Sequence, residues 1–327
     1  MDRRNFLALG LAAAATVSLA ACDTAASSAP TSGAADGKKP YIAIVSKGFQ
    51  HQFWQSVKQG AEQAAKEFDV EISFEGPDKE TNVQQQMDQL NNAMAKGPAA
   101  LALAALDSKA AEGVLQEAKA KNIPVIAFDS GVASDIPLAT ASTDNKAAAA
   151  EAAKHMAALI GNEGKIAIIG HSQTSTSGTD RRDGFVDWIK ANAPKITIAD
   201  IQYADGDQLK STDAAKTIIA ANSDLKGMYG TNEGAAIGVV NAVQELGITG
   251  KLTVVGFDSG KAQMDAIKSG LMAGAVTQNP VGIGYETVKA AVAAIKGTKV
   301  EKVIDTGFYW YDKKNIDDPK IASNLYA

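Results

Sequence analysis

One cysteine, three histidines and an aromatic content of 6% are the scarcities of this 327-residue chain. Each excludes something. A lone thiol, Cys22, forms no internal disulfide, and alone it makes no zinc site. His51, His155 and His171 show no metal-ligand spacing, so no metal and no cofactor is expected. Ser172 lies beside His171, but the chain has no Gly-x-Ser-x-Gly elbow, and an enzyme is not expected. The net charge of −5 is spread along the chain without a basic stripe, which argues against a nucleic-acid partner. What remains is ordinary soluble composition, 46% hydrophobic and 21% charged, in a length ample for two domains.

The N-terminal segment reads as an address. Arg3 and Arg4 precede the uncharged stretch Leu7 to Ala21, which falls short of the roughly twenty residues of a bilayer span. Leu19-Ala20-Ala21-Cys22 resembles the lipobox of bacterial lipoproteins. That resemblance implies a signal peptide over 1–21, cleavage before Cys22, and diacylglycerol on the Cys22 thiol as a membrane anchor. Arg3-Arg4-Asn5-Phe6-Leu7 is also similar to the twin-arginine export motif, and the general export route stays open beside it. Residues 22–39 carry too few large apolar groups to offset the entropy of ordering, so a flexible tether is expected.

From Pro40 onward, short apolar runs alternate with amphipathic stretches. Tyr41 to Val45 reads as a strand, and Phe53, Val57, Ala61, Ala64 and Ala65 mark a helix over Gln52 to Phe68. Ala99 to Ala105 is continuously apolar, as for a parallel strand covered on both faces. Helices are expected over Lys109 to Lys121 and Gly178 to Asn192. The alternation continues to a strand ending at Asp258. Helical crossovers of about a dozen residues suit parallel strands. The expected fold is α/β, with two doubly wound parallel-sheet lobes.

Ligands of such sheets sit beyond the carboxyl ends of the strands. The first strand delivers Lys47, His51, Phe53 and Trp54 there, although Phe53 and Trp54 also read as core residues. The third delivers Asp107, whose better reading is a helix N-cap. The fourth ends in Asp129-Ser130-Gly131, where Asp129 has no visible capping task. The second half adds a polar loop with His171, Arg181 and Arg182, then Asn232, Asp258 and Gln278. Aromatic faces beside paired donors and acceptors suit a polyol, whose flat C–H faces and hydroxyls need both.

At these residues the chain resembles the ribose- and galactose-type periplasmic binding proteins, type I solute-binding proteins of ABC importers. The resemblance is carried by Phe53-Trp54, Val125 to Asp129, Ser142-Thr143-Asp144-Asn145, Asp180 to Phe185, Thr231-Asn232-Glu233 and Val254 to Asp258. It implies a first lobe of 40–142 plus 279–307 and a second of 143–278 plus 308–327, joined by a hinge crossed three times. It also implies capture of a monosaccharide or polyol in the interlobe cleft and delivery to ABC permease subunits. The ligand-binding set is Lys47, His51, Phe53, Trp54, Asp129, Ser130, Thr143, Arg181, Asn232, Asp258 and Gln278. His51 stands where ribose binders carry Asn, and Ser130 where they carry Arg, which points away from ribose itself. Lys47 and His51 invite an acidic or phosphorylated sugar, whereas Asp129 and Asp258 would repel an anion, so a neutral ligand is preferred. A furanosyl signal, and a sensing role toward a chemoreceptor or sensor kinase, are the alternatives. A monomer is expected, because closure needs both lobes free.

Overall fold

Tyr41-Ile-Ala-Ile-Val45 is rich in β-branched residues and almost wholly buried, as a strand must be when helices cover both its faces. It opens a computed structural model that describes residues 38–326. The export signal, the lipobox with Cys22 and nearly all of the tether lie outside the described residues. Lys39, expected in the tether, already pairs with Asp69 at 2.6 Å.

The first run of elements is β1 (Tyr41–Val45), α1 (Gln52–Glu67), β2 (Glu71–Glu75), α2 (Val83–Ala95), β3 (Ala100–Leu103), α3 (Glu112–Ala120), β4 (Val125–Phe128) and β5 (Ala139–Ser142). The second is α4 (Asn145–Leu159), β6 (Gly164–Gly170), α5 (Thr176–Asn192), β7 (Ile196–Tyr203), α6 (Gln208–Ala221), β8 (Leu225–Gly230), α7 (Glu233–Glu245), β9 (Thr253–Phe257), α8 (Lys261–Ser269) and β10 (Gly274–Gln278). The chain closes with α9 (Pro280–Ile295), β11 (Val303–Asp305), β12 (Phe308–Asp312) and α10 (Pro319–Ala322).

Two six-stranded sheets result, ordered β2-β1-β3-β4-β5-β11 and β7-β6-β8-β9-β10-β12. The first is wholly parallel. In the second, β12 runs antiparallel to β10, which departs from the all-parallel expectation. The departure has a local cause: the chain leaves β11 at the hinge, turns at Gly307 (φ 79°), and enters the second sheet from its other end. In both sheets the order reverses beside the first strand, at β1/β3 and at β6/β8, which opens a crevice at their carboxyl ends.

Each sheet buries an apolar cluster on both faces. The fully buried Phe128, Phe185, Leu101 and Leu103 each contribute roughly 1.5–3 kcal/mol of transfer free energy. Helix α9 returns to the first sheet and packs on α1 through glycines. A Cβ on Gly60 would collide with the Val281 carbonyl, and one on Gly284 with that of Val57.

Capping sets the helix starts. Asp107 Oδ1 accepts from Lys109 and Ala110 N–H at 2.8 and 3.0 Å, so it caps a turn, and α3 starts three residues later than its pattern suggests. Ser175 accepts from Gly178 N–H and starts α5 at Thr176. Pro280 occupies the first turn of α9 behind the Asn279 cap.

The chain passes between the sheets after β5, after β10 and after β11. The crossings are tied together: Thr143 Oγ1 donates to Gly307 O at 3.4 Å, Asn279 Nδ2 to Thr306 O at 3.4 Å, and Thr306 N to Ser142 O at 3.1 Å. The C-terminal tail is shared. Ile316, Ile321 and Leu325 pack on the second lobe, but the Tyr326 ring enters the core of the first, which departs from the assignment of 308–327 to the second lobe.

Candidate functional site: a polar cavity between the lobes

The crevices at the two switch points face each other across a small polar cavity lined by buried side chains. The first lobe lines it with Lys47, His51, Phe53, Trp54, Glu80 and Asp129. The second contributes His171, Arg181, Asn232, Asp258 and Gln278.

The same tetrapeptide, Phe-Asp-Ser-Gly, ends β4 as 128–131 and β9 as 257–260. Both aspartates adopt left-handed backbone, φ 54° at Asp129 and φ 79° at Asp258. Their amides still bond to the neighbouring strand, to Ala141 O at 2.9 Å and Val276 O at 2.7 Å. Each strand is thus held to its last residue and then turned, and the carboxylate lies in the cavity wall. Asp and Asn tolerate this conformation better than most residues.

In the first lobe Lys47 Nζ sits 3.2 Å from Asp129 Oδ2, with both side chains buried. Burial pushes the Asp129 carboxyl above its ordinary value, although Lys47 and Arg181 pull it down. Trp54 is only 1% exposed, and its Nε1–H donates to Glu80 Oε1 at 2.8 Å. Burial pushes the Glu80 carboxyl up, but Lys47, His51, the Trp54 hydrogen bond and Arg181 together outweigh it and hold it below the usual value. Phe53 packs edge-on to Trp54 at 4.9 Å. The two aromatics therefore belong to the core and to the cavity wall at once.

In the second lobe Arg181 is fixed on three sides. Its Nε donates to Asn145 Oδ1 at 2.7 Å, its Nη1 to Thr231 O at 3.1 Å, and its guanidinium carbon lies over the Phe257 ring, 3.8 Å from the centroid. Asp258 Oδ1 accepts from Gln278 Nε2 at 2.7 Å and Oδ2 from Glu233 N at 3.0 Å. Asn232 uses Oδ1 to cap α7 through Ala235 N, which leaves its amide nitrogen for the cavity. Gln278 Oε1 and His171 Nε2 are buried without a protein partner.

Two expected contacts lie elsewhere. Ser130 is fully buried with its hydroxyl 3.4 Å from Ser177 Oγ, and Thr143 belongs to the hinge. Ser130 is part of a seam that holds the lobes together: Lys47 Nζ donates to Ser177 Oγ at 3.1 Å, Gly131 N to Thr176 Oγ1 at 2.7 Å, and Ser108 N to Thr174 O at 3.0 Å. On the opposite side Lys261 N donates to Gln52 Oε1 at 2.7 Å. Glu80 and His171, outside the expected ligand-binding set, line the cavity too; Glu80 reaches it only through tertiary structure. Among the described residues no three His, Cys, Asp or Glu side chains are grouped to hold a metal ion.

Two doubly wound lobes, hinged by three crossings and shut over a buried polar cavity, define a cleft-type solute-binding protein. The chain belongs to the periplasmic binding protein family, whose domain matches residues 42–299. It is 31% identical to the D-allose-binding periplasmic protein of Escherichia coli K12, over 79% of this chain and 85% of that one. Among solved structures, a carbohydrate transporter solute-binding protein from Agrobacterium radiobacter in complex with D-arabinose superposes with a TM-score of 0.85 at 34% identity, covering 89% of this chain and all of that one. An ABC transporter solute-binding protein from Agrobacterium vitis with bound D-fucose gives a TM-score of 0.84 at 35% identity, covering 88% of this chain and all of that one. The expected fold class and family are those found. The family's role is to bind and hand over a substrate rather than transform it.

Proposed function

We propose that this chain is an exported lipoprotein, anchored through Cys22, that captures a neutral monosaccharide or polyol between its lobes and delivers it to an ABC permease. The carrying observation is the cavity wall. Its acceptors (Asp129, Asp258, Gln278 Oε1) and donors (Lys47, Arg181, Asn232) line one small volume together with Phe53 and Trp54. Three carboxyl groups, Glu80, Asp129 and Asp258, face two permanent cations, Lys47 and Arg181, so an anionic ligand would add to an existing excess of negative groups. A polyol instead satisfies donors and acceptors together without bringing charge. Relatives that bind D-allose, D-arabinose and D-fucose support this class of ligand. The working unit is a monomer, since closure moves one lobe against the other.

The test is a thermal-shift panel of aldoses, ketoses, alditols and sugar acids. A sugar at about a thousand times its Kd adds roughly 4 kcal/mol, which moves Tm by several degrees. A shift with one neutral sugar supports the reading. A shift with sugar acids alone, or with none of the panel, overturns it.

A further inference from the structure

We propose that His171 determines specificity in the cavity, its Nε2–H donating to an uncharged acceptor oxygen of the bound sugar, with Thr231 fixing the tautomer that makes this possible. This rests on the sugar-binding reading above.

His171 follows directly on β6, at the switch point of the second sheet, and is 3% exposed. It is held by one hydroxyl. Thr231 Oγ1 accepts the His171 backbone N–H at 2.8 Å and lies 2.8 Å from the ring Nδ1. Thr231 is itself fully buried, and its hydroxyl proton needs an acceptor. Among the described residues the one in reach is Nδ1, because the hydroxyl's other contact is a donor. The hydroxyl proton therefore goes to Nδ1, and the ring proton sits on Nε2.

That N–H faces the cavity and has no protein acceptor. Burial, then Lys47 and His51 from the first lobe and Arg181 from α5, outweigh an opposing hydrogen bond to the Thr231 backbone and hold the ring well below its ordinary value, so it stays neutral. A neutral ring with Nδ1 engaged offers the ligand a donor and nothing else. It rewards an oxygen at one position and leaves an unpaired buried N–H when that oxygen is missing, a loss of roughly ten- to a hundredfold in affinity.

The experiment is calorimetric titration of the wild-type chain with D-allose, D-arabinose and D-fucose. The tightest binder is then compared with its monodeoxy congeners and its carbocyclic analogue, which lacks the ring oxygen. One congener should bind wild type roughly ten- to a hundredfold more weakly than the parent sugar. His171→Leu should bind that congener and the parent within about twofold, while the remaining congeners keep their wild-type ranking. In parallel, ¹⁵N spectra of the histidine rings of the unsubstituted protein, assigned with His171→Gln, should show His171 protonated at Nε2 and bare at Nδ1. A uniform loss across all congeners in His171→Leu, or a proton on Nδ1, overturns the assignment. If wild type binds none of the sugars, the sugar reading fails and takes this one with it. If wild type binds one and the loss in His171→Leu is uniform, only the role of His171 fails.

Discussion

The hydroxyl of Tyr326 accepts the Ser259 amide proton at 3.1 Å, although its ring is packed in the opposite lobe, edge-on to Phe53 at 6.0 Å. Ser259 follows Asp258, and the Asp258 carbonyl receives Tyr311 Oη at 2.8 Å. Two tyrosines thus brace the left-handed turn that sets the Asp258 carboxylate, one of them from across the cleft.

Tyr326→Phe removes the interlobe hydrogen bond and leaves the ring in place. A net hydrogen bond contributes about 0.5–1.5 kcal/mol, so sugar affinity should fall roughly two- to tenfold through a smaller closed population. Calorimetric titration measures it, and Tm without sugar should change by only a degree or two. Unchanged affinity would show that Tyr326 plays no part in closure.

Asp258→Ala and Asp129→Ala should each abolish measurable binding while circular dichroism stays native. The first leaves Gln278 Nε2 and Glu233 N–H without their acceptor and puts Ala at φ 79°, and the second leaves Lys47 buried without its counter-charge. Asn at either position accepts left-handed backbone and keeps an oxygen acceptor, so Asp258→Asn should be better folded than Asp258→Ala and retain weak binding. Two alanine variants that bind like wild type would displace the site.

Glu233 predicts a pH effect. Burial, with Asp258 and then Glu80, pushes its carboxyl up from 4.5 to about 8. The folded state therefore holds a proton that the unfolded state has lost between those two values. Stability from this group is complete below 4.5 and is lost as pH rises through 8. Glu233→Gln should match wild type near pH 4.5 and exceed it in Tm by a few degrees at pH 8. Parallel melting curves at both pH values would show that Glu233 ionises normally.

Cys22→Ala should release the exported chain from the membrane fraction, because the thiol is the acylation point that the lipobox implies. Continued tight association after export would contradict the anchor.

Much of this was readable in advance. The strand–helix alternation is strong because parallel strands covered on both faces read as unbroken apolar runs, as in Ala100–Leu103. Lys47, Asp129, Arg181 and Asp258 were legible because each follows a strand end or opens the next helix, where the fold places its ligands. Glu80 was not legible, since it lies in the loop before α2 and its role comes from Trp54, 26 residues earlier in the chain. Ser130 and Thr143 have the right residue types at the right strand ends, but interlobe packing and the hinge take them up first. The duplicated Phe-Asp-Ser-Gly stood in the sequence throughout, and its meaning lies in the two positive φ angles, which a linear pattern does not display.

The seam has a kinetic consequence. Between the lobes, apart from the Lys47 ammonium on Ser177, it is made of small hydroxyls and backbone amides: Ser130, Thr176, Ser177, and the Ser108 and Gly131 N–H groups. When the jaws part, water replaces such partners nearly one for one, so hydration offsets most of what separation breaks. A seam of leucines would resist opening whether or not cargo were present. This one leaves the dwell time of the closed state to the cargo, so that a loaded and an unloaded carrier differ in how long they remain shut.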